Sequence, residues 1–154
     1  MFTKEEEKQL RINFWNGFEQ IMSKQRGYHG NKVDWIGFNT KIRHLYFRME
    51  ADRAGAKLCI DIQFPDDGIR ELFYEQFTEF GNVLNDLFDN ELIWAPEYDH
   101  SNGKVISRIY LERTDVSLLN RNTWDDMYAF LKKNFVKLEQ FWSEFNEVFF
   151  NLKA

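Results

Sequence analysis

The residues of this chain whose types and spacing suit chemistry fall into two sets. The first is Tyr46, Arg48 and Asp61 in one stretch, with Arg108 and Tyr110 in another. Each stands at alternate positions among apolar neighbours, so strands would carry all five on one polar sheet face. Aromatic rings beside guanidinium groups stack on nucleobases, and Tyr and Arg are also common anchors of protein interfaces. Asp61 adds a carboxylate, which with a second acid can hold Mg²⁺ and activate water. The second set is Asp67, Glu71, Glu75 and Glu79. An acid at every fourth position forms a ridge along a helix. Such pairs oppose the helix by roughly 0.2–0.5 kcal/mol each, and the helix dipole offsets this only in the first turn. The ridge is either a solvated face or a surface turned toward basic groups, from this chain or from a partner.

The strands that must position the first set are legible. Leu45, Phe47 and Met49 alternate with Tyr46, Arg48 and Glu50, and Leu58, Ile60 and Ile62 alternate with Lys57, Cys59 and Asp61. With the break at Asp52–Gly55 this is a hairpin. Pairing Ala51 with Ala56 sets Met49 against Leu58, Phe47 against Ile60, Leu45 against Ile62 and Glu50 against Lys57. A slip of one residue would turn every apolar side chain to the wrong face. In that register Tyr46 lies beside Asp61 and is expected to donate to it. A second hairpin, Leu92–Tyr98 and Val105–Arg113, flanks an Asn102-Gly103 turn signal. Pro96 places its first strand at a sheet edge.

Helices frame these hairpins. Thr3-x-x-Glu6 is a capping box opening a helix that runs to about Lys24, with Leu10, Phe14, Phe18, Ile21 and Met22 on its apolar side and Gly27 and Gly30 beyond its end. Pro65-Asp66-Asp67 starts a second, with Ile69, Leu72, Phe73, Phe77, Phe80, Leu84 and Leu87 on one stripe and a stop near Asn90. Thr123 with Asp126 opens the longest, striped by Trp124, Met127, Tyr128, Leu131, Phe135, Leu138, Trp142, Phe145 and Phe149. Lys32–Phe38 reads as a short strand or extended arm. The expected fold is one α+β domain over residues 1–154, with an antiparallel sheet from two hairpins and three amphipathic helices in the order α-β-β-α-β-β-α. The predicted core is Phe14, Phe18, Leu45, Phe47, Ile60, Ile62, Phe73, Phe77, Leu131, Phe135, Trp142 and Phe145. Each helix repeats an aromatic pattern, Phe14-Trp15-x-x-Phe18, Phe73-Tyr74-x-x-Phe77 and Phe141-Trp142-x-x-Phe145. Helices packing on one sheet need such anchors, so the pattern reads as core rather than as a ligand box.

Composition narrows the function classes. Hydrophobic residues at 44% and charged residues at 29% fit a soluble globular chain. The single cysteine, Cys59, excludes an internal disulfide, suits a reducing compartment and reads as a small buried residue. No apolar run approaches the roughly 18 residues of a membrane span, and the acidic N-terminus does not read as a signal peptide, so the cytoplasm is the expected location. There is no GxGxxG, P-loop, GxSxG or HExxH string, and His29, His44 and His100 stand far apart. No cofactor and no metal are expected. The net charge of −5 is uneven. From Lys24 to Lys57 eight Lys/Arg oppose Asp34, Glu50 and Asp52, giving +5; from Leu58 to His100 eleven acids oppose Arg70, giving −10. The two blocks are expected to neutralise each other within the fold, the alternative being contact with partners.

Two families bear on these residues. The element order resembles the PD-(D/E)xK nuclease core, which takes one acid from a strand and acid-x-Lys from the next. Asp61-Ile62-Gln63 carries Gln where that core has Lys, and Tyr46 and His44 stand opposite instead of an acid, Asp34 and Glu50 being the nearest substitutes. Over nearly its whole length the chain more closely resembles the bacterial domain-of-unknown-function 4268 family. That likeness rests on Lys41-Ile42-Arg43-His44-Leu45-Tyr46-Phe47-Arg48-Met49-Glu50-Ala51-Asp52, with Glu75-Gln76-Phe77, Ile106-Ser107-Arg108-Ile109 and Phe141-Trp142. The resemblance implies an accessory role near DNA metabolism or restriction-type defence, because members often follow restriction-nuclease-like domains. It transfers no catalytic residue. The reading is a non-catalytic interaction domain with a protein partner, a degenerate nuclease or nucleic-acid binder being the alternative, with any nucleic acid on the Lys24–Lys57 side.

Overall fold

A computed structural model of the chain describes residues 1–100 and 102–152. Its elements are helix α1 (Lys4–Met22), strands β1 (Leu45–Asp52) and β2 (Gly55–Ile62), helices α2 (Asp67–Glu79) and α3 (Gly81–Leu87), strands β3 (Ile93–Asp99) and β4 (Val105–Arg113), and helix α4 (Trp124–Leu152). The class is α+β. The four strands form one antiparallel sheet in the order β1-β2-β4-β3.

The first hairpin takes the register that alternation demands, with Leu45 against Ile62, Phe47 against Ile60, Met49 against Leu58 and Ala51 against Ala56. Its turn needs a glycine: Gly55 has φ +140°, and a Cβ there would lie 2.0 Å from the Arg113 carbonyl oxygen. The apolar set of β1, β2 and β4 faces a contiguous core with α2 and α4. Phe47 sits there at 4% exposure, against Trp142 of α4 and the ring of Phe38. Of the twelve expected core residues, eleven are buried and Phe145 is partly buried. The aromatic repeats belong to this core; Phe73, Phe77, Phe80, Phe141 and Phe149 form one mutual cluster. Each of these rings removes a large apolar area from water, the main favourable contribution to folding.

The expectations for the helices and for residues 32–38 need correction. Among the described residues there are four helices, not three, because the second breaks at Phe80–Gly81. Gly81 disfavours continuation, and Phe80 turns onto Phe141 and Phe145 instead of extending the stripe. Ile69 and Leu72 of α2 and Ile21 of α1 are exposed, since the helical period sweeps the edges of a wide stripe past the sheet. Of the two readings of residues 32–38, the strand is not formed and the arm remains; an isolated bridge joins Arg26 to Lys32, and Trp35 and Phe38 pack on Phe135. The Thr3–Glu6 capping box is formed in both directions. Thr123 ends a 3-10 turn, Arg121–Thr123, and its hydroxyl donates back to Ser117 and Asn120 rather than capping α4. No described helix is long and apolar enough to cross a membrane.

Pro96 lies on an edge strand, as its missing N–H requires. It also sits in a β-bulge. Ala95 pairs with Arg108, but Tyr98 pairs with Ile106, so β3 holds one residue more than β4 between those pairs. The extra residue is what puts Tyr98 on the same face as Arg108; in unbroken register Tyr98 would oppose Val105 and point to the core side. Arg70 of α2 holds the bulge from that core side. Its Nη1 donates to the Pro96 carbonyl (2.9 Å) and to Ser107 Oγ (2.9 Å), and Ser107 Oγ donates to the same carbonyl (2.7 Å).

Candidate functional site: the polar face of the sheet

Strand register gathers the five candidate residues into two adjacent rows. Tyr46, Asp61 and Arg108 form one row across β1, β2 and β4, and Arg48, Cys59 and Tyr110 form the next. Glu50, Lys57 and Glu112 make a third. All lie on the face turned away from the apolar set and its helices.

The five differ sharply in depth. Arg108 is 1% exposed and Asp61 is fully buried, whereas Tyr46 and Tyr110 are half-buried and Arg48 is exposed. Arg108 Nε and Nη2 donate to the two Asp61 oxygens at 2.7 and 3.0 Å, and Nη1 and Nη2 reach Glu50 at 3.3 and 3.1 Å. One guanidinium therefore bridges two carboxylates on different strands. The expected Tyr46-to-Asp61 hydrogen bond is replaced by this fork, because a charged, bidentate donor outcompetes a phenol. Burial alone would lower the affinity of Arg108 for its proton, but Asp61 and Glu50 outweigh it and hold the guanidinium charged. Burial raises the Asp61 carboxyl above its usual range, with the Arg108 fork opposing it.

Long side chains roof this layer. The Arg108 guanidinium lies 4.4 Å from the Tyr98 ring centroid, Arg48 lies 4.3 Å from that of Tyr46, and Lys57 lies 5.4 Å from that of Tyr110. Lys57 is held above its usual range: partial burial opposes this, but Tyr98 and Glu50 outweigh it. Beneath the roof Cys59 is 0% exposed, and burial pushes its thiol far up, so it is a packed residue rather than a nucleophile. Among the described residues no cluster of three or more His, Cys, Asp or Glu is placed to hold a metal ion.

Over residues 10–146 the chain matches the family described as "Domain of unknown function (DUF4268)". The chain belongs to this family. Neither curated proteins nor solved structures give a significant match.

Sequence reasoning missed three contributors to the face. Glu50 was matched with Lys57 directly opposite, yet the longer diagonal to Arg108 brings it into the ion-pair layer. Tyr98 was hidden because a bulge changes which face a residue takes. Arg70 was counted only as the one cation in an acidic block, though its i,i+3 spacing from Asp67 was a visible sign of a tethered guanidinium; the pair is 3.3 Å apart. The acidic ridge itself is exposed at Asp67, Glu71, Glu75 and Glu79. Among the described residues no ion pair joins a cation of Lys24–Lys57 to an acid of Leu58–His100. Arg53 pairs instead with Glu7, and Asp89 with Lys133 and Lys137.

Proposed function

We propose that this domain is a non-catalytic recognition module that docks a protein partner on the polar face of its sheet. The observation that carries the reading is the triplet of cation–aromatic pairs, Arg48 on Tyr46, Lys57 on Tyr110 and Arg108 on Tyr98, on a face turned away from the helices. Tyr and Arg are enriched at binding hot spots because they offer large contact area with polar ends. The buried fork beneath serves to hold the pairs in place. Asp61 has both oxygens engaged by Arg108, which counts against the nuclease alternative, since a metal would have to displace a guanidinium from a site closed to water. The accessory role beside nucleases in a bacterial cytoplasm, implied by the family resemblance, is part of the same proposal.

The test compares partners captured from a bacterial lysate by the wild type and by Arg48→Ala/Tyr110→Ala, with circular dichroism as a check that the variant folds. Loss of a specific protein from the variant supports the reading, and identical partner sets refute it. Metal-dependent cleavage of DNA that disappears in Asp61→Asn would replace it with the enzyme class.

One observation favours a second reading, contact with a nucleic-acid backbone. Lys41 and Arg43 line an open cleft of about 570 Å³ with Tyr46, and neither has an ion-pair partner among the described residues. Lys41 in its wall and His44, next to Arg43 in the chain, adopt φ +68° and +73°, a conformation costly for side-chain-bearing residues. Binding of single-stranded DNA that falls steeply with salt and is lost in Lys41→Ala/Arg43→Ala would favour this reading.

A further inference from the structure

The two edges of the sheet differ in how they meet a further strand. β3 carries Pro96 and a bulge, two devices that blunt an edge against pairing. β1, at the opposite edge, runs from Leu45 to Asp52 without proline, glycine or bulge. Its register fixes which backbone groups face outward. The Gln63 N–H donates to the His44 carbonyl (2.8 Å). By the alternation of an antiparallel ladder, Tyr46, Arg48 and Glu50 then bond to β2, and Leu45, Phe47, Met49 and Ala51 turn their N–H and C=O groups to the open side. Leu45 agrees with this parity: its N–H donates to the Ile42 carbonyl (3.2 Å), and its carbonyl accepts from the Thr40 hydroxyl (2.8 Å), both outside the sheet. The same groups of Phe47, Met49 and Ala51 have no partner among the described residues. They form a row of alternating donors and acceptors that an extended backbone would satisfy.

The side chains decide whose backbone that is. Two copies of β1 pairing antiparallel about a two-fold axis must set outward residues against outward residues. Centring the pair on Arg48 puts Arg48 against Arg48, and centring it on Glu50 puts Glu50 against Glu50; like charges directly opposite are destabilising. Centring it on Phe47 calls on Leu45, which is already bonded, and centring it on Ala51 sets Glu50 against Asp52. Centring it on Met49 has neither fault. Met49 then faces Met49, Phe47 faces Ala51, Tyr46 faces Asp52, and Arg48 faces Glu50 on both sides of the axis. All the free backbone positions of both copies are used, each facing pair exchanging two main-chain hydrogen bonds. Arg48 is exposed and the Glu50 side chain is 35% exposed, so both reach across the axis even though Glu50 also holds Arg108.

We propose that β1 is a self-association edge: two copies of this chain pair their β1 strands antiparallel about Met49, joining two four-stranded sheets into one. The inference stands apart from the recognition reading, although such a dimer sets the two polar faces side by side.

Sedimentation velocity and amide hydrogen exchange by NMR on the whole chain test this. The expected result is twice the chain mass at NMR concentrations, with protection of the Phe47, Met49 and Ala51 amides that is lost on dilution. Arg48→Glu sets Glu against Glu on both sides of the axis and should weaken the dimer by roughly tenfold to a hundredfold. Glu50→Lys should do the same, with circular dichroism as a check on its fold because Glu50 also holds Arg108. An equimolar mixture of the two variants should recover the dimer, since every like pair becomes an opposite pair. Tyr110→Ala, a change confined to the polar face, should leave the dimer intact. A monomer at NMR concentrations, a dimer whose Phe47, Met49 and Ala51 amides exchange freely, or a dimer equally tight in Arg48→Glu would each overturn the proposal. Should Glu50→Lys fail to fold, Arg48→Glu and the exchange pattern decide it without the mixture.

Discussion

Arg108 and Asp61 are locked together by two parallel hydrogen bonds of 2.7 and 3.0 Å, directly opposite each other on neighbouring strands and both shut off from water. Removing Arg108 strands the buried Asp61 charge, and removing Asp61 leaves the buried guanidinium with the half-buried Glu50 alone. Arg108→Met and Asp61→Leu should each, alone, destabilise the fold by about 3–5 kcal/mol. The joint replacement Arg108→Met/Asp61→Leu should cost far less than the sum, because two apolar groups of similar size need no desolvated charge. Urea unfolding of the four proteins provides the cycle. Additive losses would show that the pair does not act as a unit.

Phe47 is the matching test of the opposite face. It is buried between Phe38 and Trp142, and Phe47→Ala should cost about 3–5 kcal/mol. A loss below about 1 kcal/mol would mean that the hairpin faces are inverted.

Cys59 should be inert in the folded protein. Its thiol is closed off under the Tyr and Arg roof and is pushed up by burial, so a disulfide reagent at pH 8 should react only after unfolding in guanidinium. Reaction at the rate of a free thiol would mean that the roof is open in solution.

Arg70 positions Tyr98 through the bulge. Arg70→Lys keeps the charge but loses the planar fork that spans Pro96, Ser107 and Asp67. It should destabilise by about 1–3 kcal/mol and weaken the nuclear Overhauser contacts between the Tyr98 ring and the Arg108 side chain. Unchanged contacts with unchanged stability would remove Arg70 from the account of that face.

Alternation alone determined the first hairpin, its register and its two faces, because a period of two leaves only one pairing that buries Leu45, Phe47, Leu58, Ile60 and Ile62 together. The same logic placed Tyr46, Arg48, Asp61, Arg108 and Tyr110 on one face, and Pro96 on an edge. Capping chemistry located the start of α1, and the aromatic repeats marked the sides of the helices that face the core. Depth and partnership were not legible. Arg48 and Arg108 look alike in sequence, yet one is exposed and the other buried, because only the packed sheet brings Glu50 diagonally within reach of Arg108 and lays Tyr98 over it. The break at Phe80–Gly81 was decided by Phe80 finding Phe141 and Phe145 across the core. The bulge at Pro96 was decided by a guanidinium from α2, 26 residues away in the chain. Local periodicity says which face a side chain takes; which distant group meets it there depends on how the elements pack, and that is set by the tertiary structure.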